Sequence, residues 1–296
     1  SCRSHPFFST DDWFIGTSTM NAGIPKTIQD LTVGFDYGDI ADLERVFAEH
    51  PGEIACVVME AAREHEPPEG YLHAVQQVCR RNGAVWMLDE MITGFRWHIG
   101  GAQAEYGIEP DLSAFGKGIG NGFSVSALVG RADLMRRGGL DTAEERVFLL
   151  STTHGAELVG LAAAMATIDT YREEPVIEVL HRQGRRLADG VRDVVDALGI
   201  REYLHTSGRA SNLVYRTLDP QHQPSQPYRT LFMQELIDNG VLGPSFVVSY
   251  SHRDVDIDRT IAAVEAAATV YARALEDGPE GFLRGRSIKP AIRRYA

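Results

Sequence analysis

Apolar residues in this chain fall into two patterns, short dense runs and longer stretches with helical spacing. The dense runs are Ile54 to Met59, Ala84 to Leu88, Leu112 to Phe115 and Val125 to Val129. Each is short enough for a strand and apolar enough to be buried. Between them the spacing turns helical. Asp39 to Ala48 places Ile40, Leu43, Val46 and Phe47 on one face behind a capping Asp39. Glu69 to Asn82 does the same with Leu72, Val75, Val78 and Cys79, and Gly83 follows its end. Strands alternating with helices at these distances predict an α/β fold, a mostly parallel sheet with helices on both faces.

The pattern changes in the second half. A helix is expected from about Gly155 to Tyr171, rich in small residues, and another from Val176 to Leu198 behind Pro175. Strand-like segments at 211–218 and 241–250 then flank a helix near Tyr228 to Asp238. A last helix aligns Ile257, Ile261, Val264 and Ala268. The expected division is a large domain over 1–175, then a linking helix, a small α+β domain and a basic tail over 176–296. The tail residues Arg284, Arg286, Lys289, Arg293 and Arg294 read as a solvated terminal segment. Residues 1–38 lack a helical period and read as loop and short extended pieces.

A formal net charge of −12 argues against general nucleic-acid binding, which needs a basic footprint. No apolar run approaches the roughly 18–20 residues of a membrane-spanning helix, and no signal peptide is evident. Cys2, Cys56 and Cys79 lack metal-ligand or CxxC spacing, which suggests reduced thiols and a cytoplasmic setting. The histidines are too scattered to form a metal set.

Two residues then stand out. Asp89 ends the run VWMLD, and Lys117 lies between Gly116 and Gly118 after LSAF. In an α/β sheet both fall just beyond strand ends, where ligands bind. A lysine there can hold an aldehyde cofactor as a Schiff base, and a carboxylate can hold a pyridine nitrogen protonated. Each has a plainer reading. Lys117 suits a solvent-facing glycine-rich loop, and Asp89 suits a loop cap or a partner for Arg96. The glycines around Lys117 do not form a Walker loop, because no GK[ST] closes them. Ser151, Thr152 and Thr153 precede a helix and could bind an anion, although ordinary capping explains them as well.

The segments LDEMITGFR (88–96), GGAQAEYGIEPDL (100–112), SAFGKGIGNGFSVSALVGR (113–131) and STTHGAELVGLAAA (151–164) resemble the class III aminotransferases among fold type I pyridoxal-phosphate enzymes. The similarity is strongest to the glutamate-1-semialdehyde aminomutase group. The resemblance implies Lys117 as the Schiff-base lysine and Asp89 as the ring-nitrogen partner, with Met91 packed on one ring face. Phe7 or Phe8 would stack on the other face, and Thr152 would reach the cofactor phosphate of a neighbouring subunit. The implied cofactor is pyridoxal 5'-phosphate, and the implied assembly is a homodimer with shared active sites. The implied activity is amino transfer between a small-molecule amino donor and a carbonyl compound, a keto-sugar or semialdehyde. An aminomutase would use the same residues. Glu60 and Arg63 are the substrate-contact candidates, although Glu60-Ala61 replaces the family's Glu-Pro. The family's Tyr-His-Gly reads Phe7-Phe8-Ser9 here, and its preceding phosphate-binding loop is not found. An N-terminally truncated, catalytically inert piece or interaction module on the same fold is the reading from a different class.

Overall fold

The computed structural model describes residues 19–62, 64–145 and 155–290. Two compact units meet in sequence at Glu174 and Pro175.

The first unit opens with the single turn α1 (Lys26–Gln29), which the aperiodic sequence did not suggest. Helix α2 (Ile40–Glu49) starts as expected, the Asp39 carboxylate accepting from the Asp42 N–H at 3.1 Å. Strand β1 (Cys56–Glu60) leads to α3 (Tyr71–Asn82), which lies between two left-handed glycines, Gly70 and Gly83. Strand β2 (Val85–Asp89) follows, then the short α4 (Gly101–Tyr106), β3 (Leu112–Phe115) and β4 (Ala127–Gly130). The single turn α5 (Ala132–Met135) follows β4, and α6 (Leu158–Glu173) ends the unit.

The sheet order is β1-β2-β3-β4. β1 pairs with β2, and β2 with β3, in parallel, whereas β4 returns antiparallel to β3. Connection length explains the difference. β1 and β2 are followed by segments long enough to carry α3 and α4 as crossovers, while β3 and β4 are joined by the shorter glycine-rich segment 116–126, which has no crossover helix. The result is a mixed, mostly parallel sheet. Leu43 and Phe47 of α2 and Leu72, Val75 and Cys79 of α3 pack with Met59, Trp86 and Leu88 in one buried core. At about 25 cal/mol per Å² of apolar surface, such burial is the main force holding these helices on the sheet. Asp111 fixes the start of β3. Its carboxylate accepts from the Trp86 N–H of β2 at 2.8 Å and from the Arg131 guanidinium at 2.7 Å. Cys56 and Cys79 are free thiols that burial pushes up to about 11 and about 12.

The second unit begins with α7 (Val176–Ala197), which buries Leu180, Leu187, Val191 and Val195. β5 (Leu204–Ser207) and β6 (Val214–Thr217) form an antiparallel pair. Helices α8 (Gln226–Asp238) and α9 (Asp254–Asp277) complete it. The Tyr271 hydroxyl of α9 donates to the Leu218 carbonyl at 2.6 Å, tying the helix to the end of β6.

One expectation needs correction here. The 241–250 segment is no strand. It makes a single bridge, Leu213 to Phe246, because Gly243-Pro244 interrupts it and proline cannot donate to a ladder. Arg284, Arg286 and Lys289 of the basic tail are exposed, as expected, and the segment is also hydrogen-bonded to α8 over 282–288. Gln234 of α8 donates to the Phe282 carbonyl at 3.0 Å and accepts from the Arg284 N–H at 2.9 Å, while the Ile288 N–H donates to Thr230 at 2.9 Å. Among the described residues no helix is long and apolar enough to cross a membrane.

Gly184 provides a test of the packing in this unit. It sits inside α7, where alanine is ordinarily better than glycine by about 1 kcal/mol. A Cβ here would lie 1.7 Å from the Ala210 carbonyl oxygen, which is backbone and cannot swing away. Overpacking therefore outweighs propensity, and Gly184→Ala should lose about 1–3 kcal/mol. Urea denaturation followed by circular dichroism checks this; a midpoint equal to or above wild type would contradict the assigned packing.

Candidate functional site

Parallel pairing brings the carboxyl ends of β1, β2 and β3 to one edge of the sheet, the edge where open α/β sheets bind ligands. Glu60 ends β1 and Asp89 ends β2, and the two are register partners; Asp89 is also in register with Ala114 of β3. Glu60 is buried and Asp89 half-buried. Two residues past the end of β3, Lys117 opens a short 3-10 turn (Lys117–Ile119) with its side chain exposed.

The turns following β2 and β3 pack directly on each other, and glycines permit it. A Cβ on Gly116 would lie 2.3 Å from the Met91 methyl and 2.6 Å from its sulfur. One on Gly94 would lie 2.5 Å from the Phe115 ring and 2.8 Å from the Glu90 carbonyl oxygen. At Gly118 the neighbour is Phe95 Cβ, at 3.1 Å. Met91 and Phe95 thus pack against the glycines on either side of Lys117. Met91 lies against the residue preceding Lys117, and its backbone N–H donates to Asp89 Oδ1 at 2.8 Å. The turn that carries Asp89 and Met91 and the turn that carries Lys117 form one packed assembly.

Both turns contain residues in the left-handed region. Lys117 has φ 46° and Phe95 φ 62°. For non-glycine residues this costs on the order of 1 kcal/mol or more, and it persists only where the surroundings hold it. The surroundings of Phe95 are evident. Its carbonyl accepts from the Tyr171 hydroxyl of α6, and its ring meets Tyr171 edge-on at 5.4 Å and Phe115 at 6.2 Å.

The more deeply buried acid is not Asp89 but its neighbour Glu90, whose exposure is 0%. Its carboxylate accepts from the Thr93 hydroxyl, from the Ala102 N–H at 2.8 Å and from the Gln103 N–H at 2.9 Å. Burial raises its pKa above the usual carboxylate range, the hydrogen bonds lower it, and Asp89 nearby adds to the rise. Desolvation also lowers the pKa of Arg96 and raises that of Tyr171.

Of the residues expected from sequence, Asp89, Met91, Lys117 and Glu60 are brought to this edge. Phe7, Phe8, Arg63 and Thr152 lie outside the described residues, as does the Ser151–Thr153 anion-site candidate. Sequence reading missed Glu90, Phe95 and Tyr171. A second acid directly after Asp89, with the Gly100-Gly101 pair downstream, was the available signal for the first of these. Nothing in the sequence marks Phe95 as left-handed.

A family model described as aminotransferase class-III matches residues 24–204. The glutamate-1-semialdehyde 2,1-aminomutase of Anaeromyxobacter sp. (strain Fw109-5) is 32% identical over 265 residues, covering 85% of this chain and 61% of that protein. The protein of the same name from Syntrophobacter fumaroxidans is 31% identical over 270 residues, with coverage of 86% and 60%. The chain thus spans about 61% of the length of the first of these relatives. Among solved structures, the PLP internal aldimine form of the FumI protein of Sphingopyxis sp. MTA144 superposes with a TM-score of 0.73 at 25% identity, over 86% of this chain and 61% of that one. An omega-transaminase from Sphaerobacter thermophilus shares the fold, with a TM-score of 0.70 at 22% identity, over 87% and 60%.

Glu90 has a pH signature with a definite sign. Its pKa is raised on folding, so the stability it contributes is full below the unfolded value near 4.5 and is lost as pH rises through the folded value. Glu90→Gln cannot titrate. The stability of wild type relative to that variant should therefore decline as pH rises from about 4 to about 8, read from urea midpoints. A difference that is constant or grows over that range would show that the hydrogen bonds outweigh desolvation.

Proposed function

Because the chain belongs to the class-III aminotransferases, we propose that it holds pyridoxal 5'-phosphate at the strand-end site through Lys117 and Asp89, and that the protein moves an amino group between an amino acid and a carbonyl compound, a keto-sugar or semialdehyde. The observation that carries this reading is the packing of the Asp89–Met91 turn on the glycine-flanked Lys117 turn. The residue chemistry there fits the cofactor. An amine can tether an aldehyde, a carboxylate at a strand end can hold a pyridinium nitrogen, and a thioether can pack against a flat ring.

When bound, pyridoxal phosphate supplies an electron sink for the carbon next to the substrate nitrogen. The chain's own residues do the rest. Lys117 Nζ would tether the cofactor and, when free of it, hold the proton moved at the substrate α-carbon. The Asp89 carboxylate would keep the ring nitrogen protonated, and Met91 would limit how the ring lies. Phe7 or Phe8, stacking on the ring, and Thr152, reaching the phosphate, complete the proposed set, with Glu60 and Arg63 as substrate contacts. A second reading, intramolecular amino transfer, is favoured by the aminomutase names of the relatives at 31–32% identity. Supplying a separate donor and acceptor and looking for two products distinguishes the two.

We further propose a homodimer in a cytoplasmic setting. Cys56 and Cys79, which form no disulfide with each other and lack metal-ligand spacing, support the compartment. Exposed apolar side chains support the dimer: Leu158, Val159 and Met165 of α6 are 82%, 58% and 66% exposed, and Leu128 and Val129 of β4 are 46% and 45% exposed. Three exposed apolar side chains on one helix are the kind of surface that a partner copy covers.

Borohydride added with pyridoxal phosphate should fix the cofactor's mass on Lys117, and Lys117→Ala should abolish both the label and the amino transfer. Asp89→Asn should keep the label while transfer falls on the order of 100-fold or more. Label on another lysine, or transfer retained by Lys117→Ala, would overturn the reading, and transfer without label-competent Lys117 cannot be reconciled with it. Analytical ultracentrifugation should find a dimer that the double change Leu158→Glu, Met165→Glu converts to monomer. A wild-type monomer would refute the assembly.

A further inference from the structure

The residue with the most unexplained chemistry is Glu90. A carboxylate at 0% exposure is costly, and proteins retain one only when it is fully hydrogen-bonded. Glu90 lies between Asp89, whose Oδ1 accepts from the Met91 N–H at 2.8 Å, and Met91, which packs on Gly116. We propose that Glu90 is a positioning residue: its buried carboxylate ties the turn after β2 to the first turn of α4, and so fixes the backbone from which Asp89 and Met91 meet the Lys117 turn.

Four observations carry this, each independent of Asp89 and Lys117. The main chain of Glu90 is held at both ends, its N–H donating to the Ala114 carbonyl of β3 and its own carbonyl accepting from Gly94, each at 2.9 Å. Its side chain reaches across to α4, where Oε2 accepts from the Ala102 N–H at 2.8 Å and Oε1 from the Gln103 N–H at 2.9 Å. These are among the N–H groups at a helix start that have no partner inside the helix. The Thr93 hydroxyl closes the turn back onto the same carboxylate. Finally, Gly101 is shaped around it. Its φ is +79°, and a Cβ there would lie 2.5 Å from the carboxylate carbon. Only glycine both adopts that backbone and leaves room for the acid.

The consequence is that residues 89 and 91 have little freedom of their own. Rotation of the turn would break hydrogen bonds to β3 and α4 together and leave a buried carboxylate without donors. Glutamate is the acid that fits. Aspartate is one methylene shorter, and glutamine turns one acceptor into a donor that would face a backbone N–H.

The test uses the 296-residue chain and two variants that disturb the contact from opposite sides, Glu90→Gln and Gly101→Ala. Val75→Ala, in the buried face of α3, serves as a control of comparable global destabilisation. Amide hydrogen exchange is read by mass spectrometry. Both clasp variants should speed exchange over 91–97 and at 102–103 by about tenfold or more relative to the control, with α7 unchanged. Folded variants with exchange in 91–97 no faster than the control would overturn the proposal. Should neither variant fold, Thr93→Val removes a single donor, and a lack of any local change there would overturn it equally.

The second readout rests on the cofactor reading above. Titration with pyridoxal 5'-phosphate should show affinity reduced about tenfold or more in the clasp variants but not in Val75→Ala. The visible absorbance of the bound cofactor should also have a shifted pH midpoint. Loosened exchange with unchanged affinity and an unchanged midpoint would refute the positioning role. If wild type takes up no pyridoxal phosphate, the cofactor reading fails, and the exchange measurement still decides whether Glu90 holds the turn.

Discussion

Close approach of two backbone turns is the constraint on which the candidate site depends. The turn after β2 and the turn after β3 touch at positions where a single methyl group would collide, 2.3 Å from Met91 at Gly116 and 2.5 Å from Phe115 at Gly94. Strand pairing alone would leave these turns as neighbours with independent motion. Absent side chains let them become one object, which carries an acid, a thioether and an amine on adjoining turns. Parallel strand register provides the base by ending β1 and β2 at the same level.

That contact is supported from two sides by different physics. On one side, the buried Glu90 carboxyl group draws the β2 turn toward α4 through hydrogen bonds from the Ala102 and Gln103 N–H groups. On the other, α6 contributes Tyr171, which donates to the Phe95 carbonyl and packs edge-on against its ring. One support is polar and directional, the other largely apolar. The left-handed backbone at Phe95 is where the two pulls meet. Strain of this kind at the strand-end edge persists because the surrounding packing over-determines the backbone there.

How much of this was legible in the sequence depended on the range of the deciding interaction. Helices α2 and α3 followed from spacing and caps, because Asp39, Gly83 and the apolar positions act within a turn or two. The dense runs gave the strands, but the boundaries moved: β1 runs Cys56–Glu60, not Ile54–Met59, since pairing with β2 decides which residues join the ladder. In the second unit, β6 begins at Val214 and not at Ser211, because Ala210–Asn212 forms a 3-10 turn. Asp89 and Lys117 could be singled out because each ends an apolar run. Glu90 carried only the weaker signal of a second acid ahead of a glycine pair, since its partners lie 12 and 13 residues on and its burial is a tertiary fact. The glycines flanking Lys117 were legible as a loop, but not as the points where Met91 and Phe95 make contact.

The left-handed conformation of Lys117 bears on how this position can change over evolutionary time. At φ 46° glycine or asparagine would sit more comfortably than lysine, by on the order of 1 kcal/mol. The lysine side chain is exposed, so it returns little in burial. Mutational drift under selection for folding alone would therefore move this codon away from lysine. A lineage that keeps lysine here does so against that pressure, and the first sign of lost chemistry in a descendant would be a glycine or asparagine at 117, in a protein slightly more stable than its ancestor.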